Sequence, residues 1–240
     1  MRKAFAFLTP FGRSSSPTPA TLAWFPTVGV VLGLVVGMVW WIGARAWPPL
    51  VAGALAVVAD LVLTGFLHFD GLADAGDGLL APMTKERRLA AMADPAIGAF
   101  GAITVGAVLL VRWVTFATTV PSPLVVAGLW CASRTAMALV TITMPYARPG
   151  GLAQAFVGTD ESSGERTAVV SAVVAGAVAA VGLVVLARGV RGLAALGGEL
   201  AAFAAVAVLA RRRLGGFTGD VLGAAGVVGE TIGLLILAAR

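Results

Sequence analysis

The chain has 240 residues, of which 59% are hydrophobic and 12% charged, about half the charged share of an ordinary soluble domain. Its mean hydropathy is +0.95. The net charge of +5 comes with no nucleic-acid motif, so the excess of base reads as membrane topology and not as a nucleic-acid interface. These values exclude a soluble globular domain and a disordered chain. They describe an all-α, polytopic integral-membrane helical bundle, folded as a single membrane-embedded domain over residues 1–240.

In the opening MRKAFAFLTPFGR, the apolar run after Arg2 and Lys3 breaks at Pro10, too early for a cleaved secretory signal. Seven apolar stretches follow: Leu22–Ile42, Leu50–Leu67, Ile97–Thr118, Leu124–Met144, Ala168–Ala187, Leu193–Ala210 and Val221–Ala239. Most approach the roughly 20 residues that cross a bilayer core; the second and sixth are short, which leaves six and eight as alternative counts. Glycine, at 31 residues, is well above its usual share and suits helices that pack closely in lipid. Cys131 is the one cysteine, so no disulfide contributes.

Lysines and arginines set the expected orientation. Eleven fall on the amino-terminal side (Arg2, Lys3, Arg13, Lys85, Arg87, Arg88, Arg148, Arg166, Arg211, Arg212, Arg213). Four (Arg45, Arg188, Arg191, Arg240) fall on the other, while Arg112 and Arg134 lie inside apolar segments. The positive-inside rule then places the amino terminus in the cytoplasm. Asp70, Asp74, Asp77, Asp94, Arg148, Asp160, Glu161 and Asp220 collect on that same side, where nucleotides and Mg²⁺ are available.

The most chemical stretch is TGFLHFDGLADAGDG, residues 64–78, where Asp70, Asp74 and Asp77 arrive at offsets of four and three. On a helix they share one face. Packed carboxylates repel unless a counterion neutralises them, and oxygen-only donors favour Mg²⁺ or Mn²⁺ over zinc. Such a face commonly meets a cation together with a diphosphate. The alternative is a solvated acidic helix end, against which stand the absence of matching lysines and the interleaved Gly71, Gly76 and Gly78.

His68, the sole histidine, lies on the other side of the same helix from Asp70, a poor position for a shared metal ligand. Proton transfer and a packing or substrate contact are both open for it. Further on, KERRLAAMADPAIGAFG begins as a basic cytoplasmic run. Lys85, Arg87 and Arg88 contact phosphates or anchor the loop to lipid. Asp94 either caps the next helix, with Pro95 in its favoured first position, or assists at the metal.

Arg134 lies deep in the fourth segment and needs an anion or an aqueous cavity. A substrate phosphate and a structural ion pair are the two readings. Arg112 has the same need, with snorkelling beside Trp113 as an alternative; Asp60 is a partner for either arginine. Finally, GGFTGDVLGAAGVVGE, residues 215–230, presents a Gly-rich turn before Asp220. Backbone N–H groups there, Gly219 among them, are placed to hold phosphate, and Asp220 to add a metal ligand. Glu230 is about 15 Å deeper along a helix and needs a partner of its own.

Together these strings resemble the cobalamin synthase family, the adenosylcobinamide-GDP ribazoletransferases. The resemblance rests on FAFLTP at 5–10, WFPTVGVVLG at 24–33, GFLHFDGLADAGDGL at 65–79, KERRLAAMADPAIGAFG at 85–101, SRTAMAL at 133–139, YARPGGLAQAFVG at 146–158 and GGFTGDVLGA at 215–224. It implies a multi-pass enzyme of the cell membrane that joins α-ribazole or its 5′-phosphate to adenosylcobinamide-GDP, releases GMP and uses Mg²⁺. The residues it carries over are Asp70, Asp74, Asp77, Asp94 and Asp220 toward metal, with Arg134 and Arg148 toward phosphate. Contacts with a second copy or with pathway enzymes belong to the same expectation.

The chain departs from the family pattern in two places. Asp94-Pro95-Ala96 stands where many relatives carry a basic DSR-like pattern, and Thr9-Pro10-Phe11-Gly12-Arg13 where a TRLPV-like string is usual. Two other readings compete with this one. A CDP-alcohol phosphotransferase shares spaced aspartates, but its DGxxAR…DxxxD pattern is absent. A transporter would string Asp60, Arg112, Arg134 and Glu230 along a path open to both sides.

Overall fold

A computed structural model describes residues 1–10, 18–148, 152–156 and 163–239; Arg13, Asp160 and Glu161 lie outside these. The described residues form helices α1 (Arg2–Leu8), α2 (Phe25–Ala46), α3 (Pro49–Leu63), α4 (Leu67–Leu80), α5 (Lys85–Ala91), α6 (Ala99–Thr118), α7 (Pro123–Thr143), α8 (Ser163–Leu214) and α9 (Gly219–Ala238). Short 3-10 helices occupy Pro19–Trp24 and Leu152–Phe156. Pro49 and Pro123 stand in the first turns of α3 and α7, where a missing N–H costs nothing. Five helices are long and apolar enough to cross a membrane, or six if α3 and α4 make one bent span.

The second expected segment, Leu50–Leu67, does not continue as one helix. It stops at Leu63, and α4 leaves at 89° to α3. Gly65 (φ 57°) and Phe66 (φ 62°) both take left-handed backbone, which ends the right-handed run. Hydropathy does not register this reversal, because Leu63, Phe66 and Leu67 are as apolar as the helix before them. The bend redirects the aspartates out of the line of α3.

The fifth and sixth expected segments appear as one helical stretch of 52 residues, interrupted at Gly189 (φ 54°, ψ −133°). On one arm, 163–188, Gly176 lies against Thr135 and Val184 against Gly128; on the other, 190–214, Glu199 lies against Gly229 and Ala195 against Gly233. Each arm is thus antiparallel to its neighbour, α7 or α9. Those two are themselves antiparallel, since Gly226 meets Met137 and Gly233 meets Leu129. The chain therefore reverses at Gly189.

Helices α2 and α7 pack closely through Gly29, Gly33 and Gly37, one residue per turn. A Cβ at Gly33 would lie 2.6 Å from the Val126 carbonyl oxygen, and one at Gly37 the same distance from Pro123 Cα. Only hydrogen fits there, and dispersion contacts between backbones replace the side-chain burial that lipid does not reward. Trp40, Trp130 and Phe116 fill the space beside this seam, fully buried.

The interior also holds charge. Arg112 on α6, fully buried, donates to Glu230 on α9 at 2.9 Å, to Thr231 Oγ1 at 3.0 Å and to the Val227 carbonyl at 2.8 Å. It also pairs with Asp60 on α3, whose other oxygen accepts from Trp130 Nε1 at 2.9 Å. Arg134 on α7 pairs with the second oxygen of Glu230. The snorkelling alternative for Arg112 is thereby overturned, since its guanidinium reaches inward to two carboxylates. Asp60 takes Arg112 as its partner, and Glu230 takes both arginines.

Two cations and two anions balance, which is the condition for holding them out of water. Arg112→Met should cost about 3–5 kcal/mol of stability by stranding Asp60 and Glu230. Adding Asp60→Asn in that background should recover part of it, read as melting in detergent; strictly additive losses would show the pair to be uncoupled.

Candidate active site

The site forms where α4 crosses the start of α9. A Cβ at Gly71 would lie 2.9 Å from Asp220 Cα, so the two helices touch with no side chain between them. A Cβ at Gly223 would stand 3.2 Å from His68 Cα. The aspartates flanking Gly71 are thereby brought beside Asp220. Asp74 lies within electrostatic range of Asp220, Asp70, Asp77 and Arg148. Asp70 is exposed, and Asp74 and Asp220 are half-buried.

The Gly-rich turn fixes the other side. Phe217 N donates to the Pro145 carbonyl at 3.0 Å and Ala147 N to the Phe217 carbonyl at 2.8 Å, a parallel bridge that pins segment 145–148 to residues 215–218. Arg148 Nη1 then stands 3.8 Å from Asp220 Oδ2. Thr218 caps α9, its hydroxyl accepting from Val221 N at 3.2 Å. Gly219 opens the helix with the positive end of its dipole toward this corner.

Asp77 goes elsewhere. Its two oxygens accept from Gly98 N at 2.7 Å and Gly101 N at 2.9 Å, closing the amino terminus of α6. This also corrects the expectation that Asp94 caps that helix. Asp94 is exposed, and its carboxylate accepts from Ala96 N at 2.9 Å in a local turn. Pro95 is not in the first turn of α6, which begins at Ala99. Arg88 is buried and donates to the carbonyls of Gly78 and Leu79 at 2.7 and 3.0 Å, so it closes the end of α4 instead of reaching outward.

A cavity of about 340 Å³ opens beside Asp220. Phe7, Phe25, Phe156 and Tyr146 form aromatic walls, and His68, Arg148, Gly219 and Asp220 also line it. Phe156 meets Phe7 edge-on at 4.8 Å and Phe25 at 5.7 Å between ring centroids. Burial, and then the charge of Asp220, raise the Tyr146 phenol above its ordinary value of 10.0, so it stays a donor. The sequence did not single out these aromatics; their one shared signal is that Phe7, Phe25, Tyr146 and Phe156 all fall within the strings of the family resemblance.

His68 is buried, with Nδ1 3.5 Å from Arg134 Nη2. A guanidinium only donates, so Nδ1 accepts and the proton resides on Nε2. Arg134 is itself buried against Glu230 and Ser133 and does not line the cavity.

Among the described residues no group of three His, Cys, Asp or Glu side chains stands close enough together to hold a metal ion by itself. The donor chemistry nevertheless fits Mg²⁺. Asp70, Asp74 and Asp220 offer only oxygen, three carboxyl groups to the single guanidinium of Arg148. This ion commonly takes one or two carboxylates, keeps waters and completes its shell with substrate phosphates, so a closed protein cage is not required.

The family model described as cobalamin-5-phosphate synthase matches residues 1–238. The chain belongs to that family. It is 37% identical over 222 residues to the adenosylcobinamide-GDP ribazoletransferase of Chlorobaculum tepidum, covering 89% of this chain and 83% of the relative. The enzyme of the same name from Citrobacter koseri is 35% identical over 218 residues, covering 89% and 85%. No solved structure gives a significant match. The phospholipid-phosphotransferase and transporter readings find no support in these comparisons.

The division of labour among the aspartates can be measured. Asp77→Ala should lower stability by about 1 kcal/mol and speed amide exchange at 98–101, as loss of a helix cap does. Asp74→Ala should relieve repulsion and leave that exchange unchanged. Equal exchange in the two variants would remove the capping role.

Proposed function

We propose that this protein is an adenosylcobinamide-GDP ribazoletransferase of the cell membrane, transferring the adenosylcobinamide-phosphate group to α-ribazole or α-ribazole 5′-phosphate with release of GMP. Full-length family membership supports the reaction. The observation that carries its location is the meeting of Asp70 and Asp74 with Asp220 and Arg148 at the Gly71 contact, beside the cavity.

In the reaction, the ribose 3′-hydroxyl oxygen of the nucleoside bonds to the phosphorus attached to cobinamide. The bond from that phosphorus to the bridging oxygen breaks, and GMP leaves with the electron pair. Asp70, Asp74 and Asp220 would hold Mg²⁺, which supplies neutralisation of the diphosphate and of the charge that develops on the leaving phosphate. Arg148 and the N–H groups that begin α9 at Gly219 bind phosphate oxygens from the other side. The hydroxyl proton passes to a carboxylate of this corner, Asp220 being the one that lines the cavity. His68, with Nδ1 facing a guanidinium, serves as a donor and not as the base. Asp77 and Asp94 support the site from outside the metal set, and Arg134 acts through His68.

The topology that suits this reading has seven crossings: α2, the bent α3–α4 pair, α6, α7, the two arms of α8, and α9. With the amino terminus in the cytoplasm, as the lysine and arginine distribution favours, the ends of α4 and α7 and the start of α9 all face the cytoplasm.

The test uses purified protein in lipid nanodiscs with adenosylcobinamide-GDP, α-ribazole and Mg²⁺, following GMP and the joined corrinoid together. Chelation should abolish both products and Mg²⁺ should restore them. Asp74→Asn and Asp220→Asn should each reduce turnover at least about 100-fold with melting unchanged, the scale of lost transition-state charge stabilisation. Undiminished turnover after chelation would overturn the metal assignment.

A further inference from the structure

We propose that the aromatic cavity is the seat of the two-ring base of the nucleoside acceptor, so that this one pocket selects α-ribazole and aims its ribose at the acidic corner. The assignment rests on the transferase reading and adds to it where one of the two substrates binds.

Three observations bear on the occupant. The first is size. At about 340 Å³ the cavity is at the low end of the roughly 300–1,000 Å³ typical of small-molecule sites. A bicyclic base with its sugar suits it, while a corrin macrocycle does not enter.

The second is chemistry of the walls. Phe7, Phe25, Phe156, Met137 and Leu222 present apolar surface, with the rings of Phe7 and Phe156 nearly perpendicular at 86°. Such walls take a flat arene through face and edge contacts. Guanine, the other base in the reaction, carries several donors and acceptors on its edge. Among the phenylalanines the buried polar side chains of the lining are His68 and Thr141, with Tyr146, Arg148 and Asp220 partly exposed, and a polar edge left unpaired there is penalised. A benzimidazole has a single free ring nitrogen. One donor satisfies it, and His68 Nε2–H, set by Arg134 on the opposite nitrogen, is such a donor at the cavity wall.

The third is direction. Phe25, Phe156 and His68 are buried, whereas of Arg148, Gly219 and Asp220, which line the same cavity, Gly219 is exposed and Arg148 and Asp220 are partly exposed. A base held among the phenylalanines leaves its ribose on their side, next to the phosphate-binding end of α9. Position is what the phenylalanines contribute, beside the Asp220 carboxylate at the same cavity.

Equilibrium dialysis of the wild-type protein in nanodiscs, with α-ribazole or adenosine and no corrinoid, reads the site directly. Wild type should bind α-ribazole at least tenfold more tightly than adenosine. Phe156→Ala should weaken α-ribazole about tenfold, with Phe156→Leu intermediate and melting of the latter unchanged. His68→Phe should lose the preference over adenosine, and His68→Gln, which keeps a donor, should retain part of it. In turnover, Phe156→Leu should raise KM for the nucleoside and leave KM for adenosylcobinamide-GDP and kcat near their wild-type values.

Unchanged nucleoside binding in both Phe156 variants would overturn the proposal. So would a rise in KM confined to the corrinoid, or a phospholipid chain seated among the phenylalanines that α-ribazole does not displace. The two readings fail separately. Nucleoside binding that depends on Phe156, without GMP release, sinks the transferase and keeps the pocket; GMP release with a nucleoside KM indifferent to Phe156 does the reverse.

Discussion

Arg112 is the point on which the bundle turns. A guanidinium at the centre of a membrane protein survives only if every direction it faces is answered, and here the answers come from α3 through Asp60 and from α9 through Glu230, Thr231 and the Val227 carbonyl. Lipid offers helices no hydrophobic reason to associate, so directional polar contacts and close backbone packing decide which helices become neighbours. Once α3, α6, α7 and α9 are tied by the network, the bend after Leu63 has one place to send α4: across the opening turns of α9. The core charges thereby help hold α4 and α9 where Asp70, Asp74 and Asp220 meet.

Two groups of acids among the described residues obey opposite rules. Inside, Asp60 and Glu230 are matched one for one by Arg112 and Arg134, while Glu199, buried near Glu230, has no hydrogen-bond partner for either oxygen. At the corner, three carboxylates face one guanidinium that is partly exposed and 3.8 Å from the nearest of them. Water reaches this corner and screens the imbalance, which the proposed cation and diphosphate would neutralise. A helix dipole at Gly219 pulls the same way, since it favours anions where the carboxylates favour cations.

The sequence made some of this legible and concealed the rest for definite reasons. Aspartates at 70, 74 and 77 share a helix face, and the helix is there. Yet a shared face says nothing about what packs against it, and the amino terminus of α6, 21 residues on, claims Asp77. The glycines are legible as a composition, but that Gly71 meets Asp220 while Gly33 meets Val126 depends on tertiary pairing. Apolar stretches marked the helices well, and missed the reversal at Gly65 and Phe66 because hydropathy carries no information about backbone hand. The cavity was the least readable feature. Its aromatic walls come from α1, α2, the 145–148 strap and the 3-10 helix at Leu152–Phe156, segments with no common period.

Arg134 links these two halves. Its pairing with Glu230 belongs to the buried network, while its Nη2 faces His68, which is a wall of the cavity. A guanidinium has no lone pair to offer, so the imidazole nitrogen that meets it accepts. The opposite nitrogen is thereby kept as a donor. Replacing Arg134 with lysine would keep the charge and lose the planar fork that reaches Glu230, Ser133 and His68 together. The sequence left open whether this arginine serves structure or substrate. Its geometry places it in the structural ion pair with Glu230, with His68 between it and the cavity.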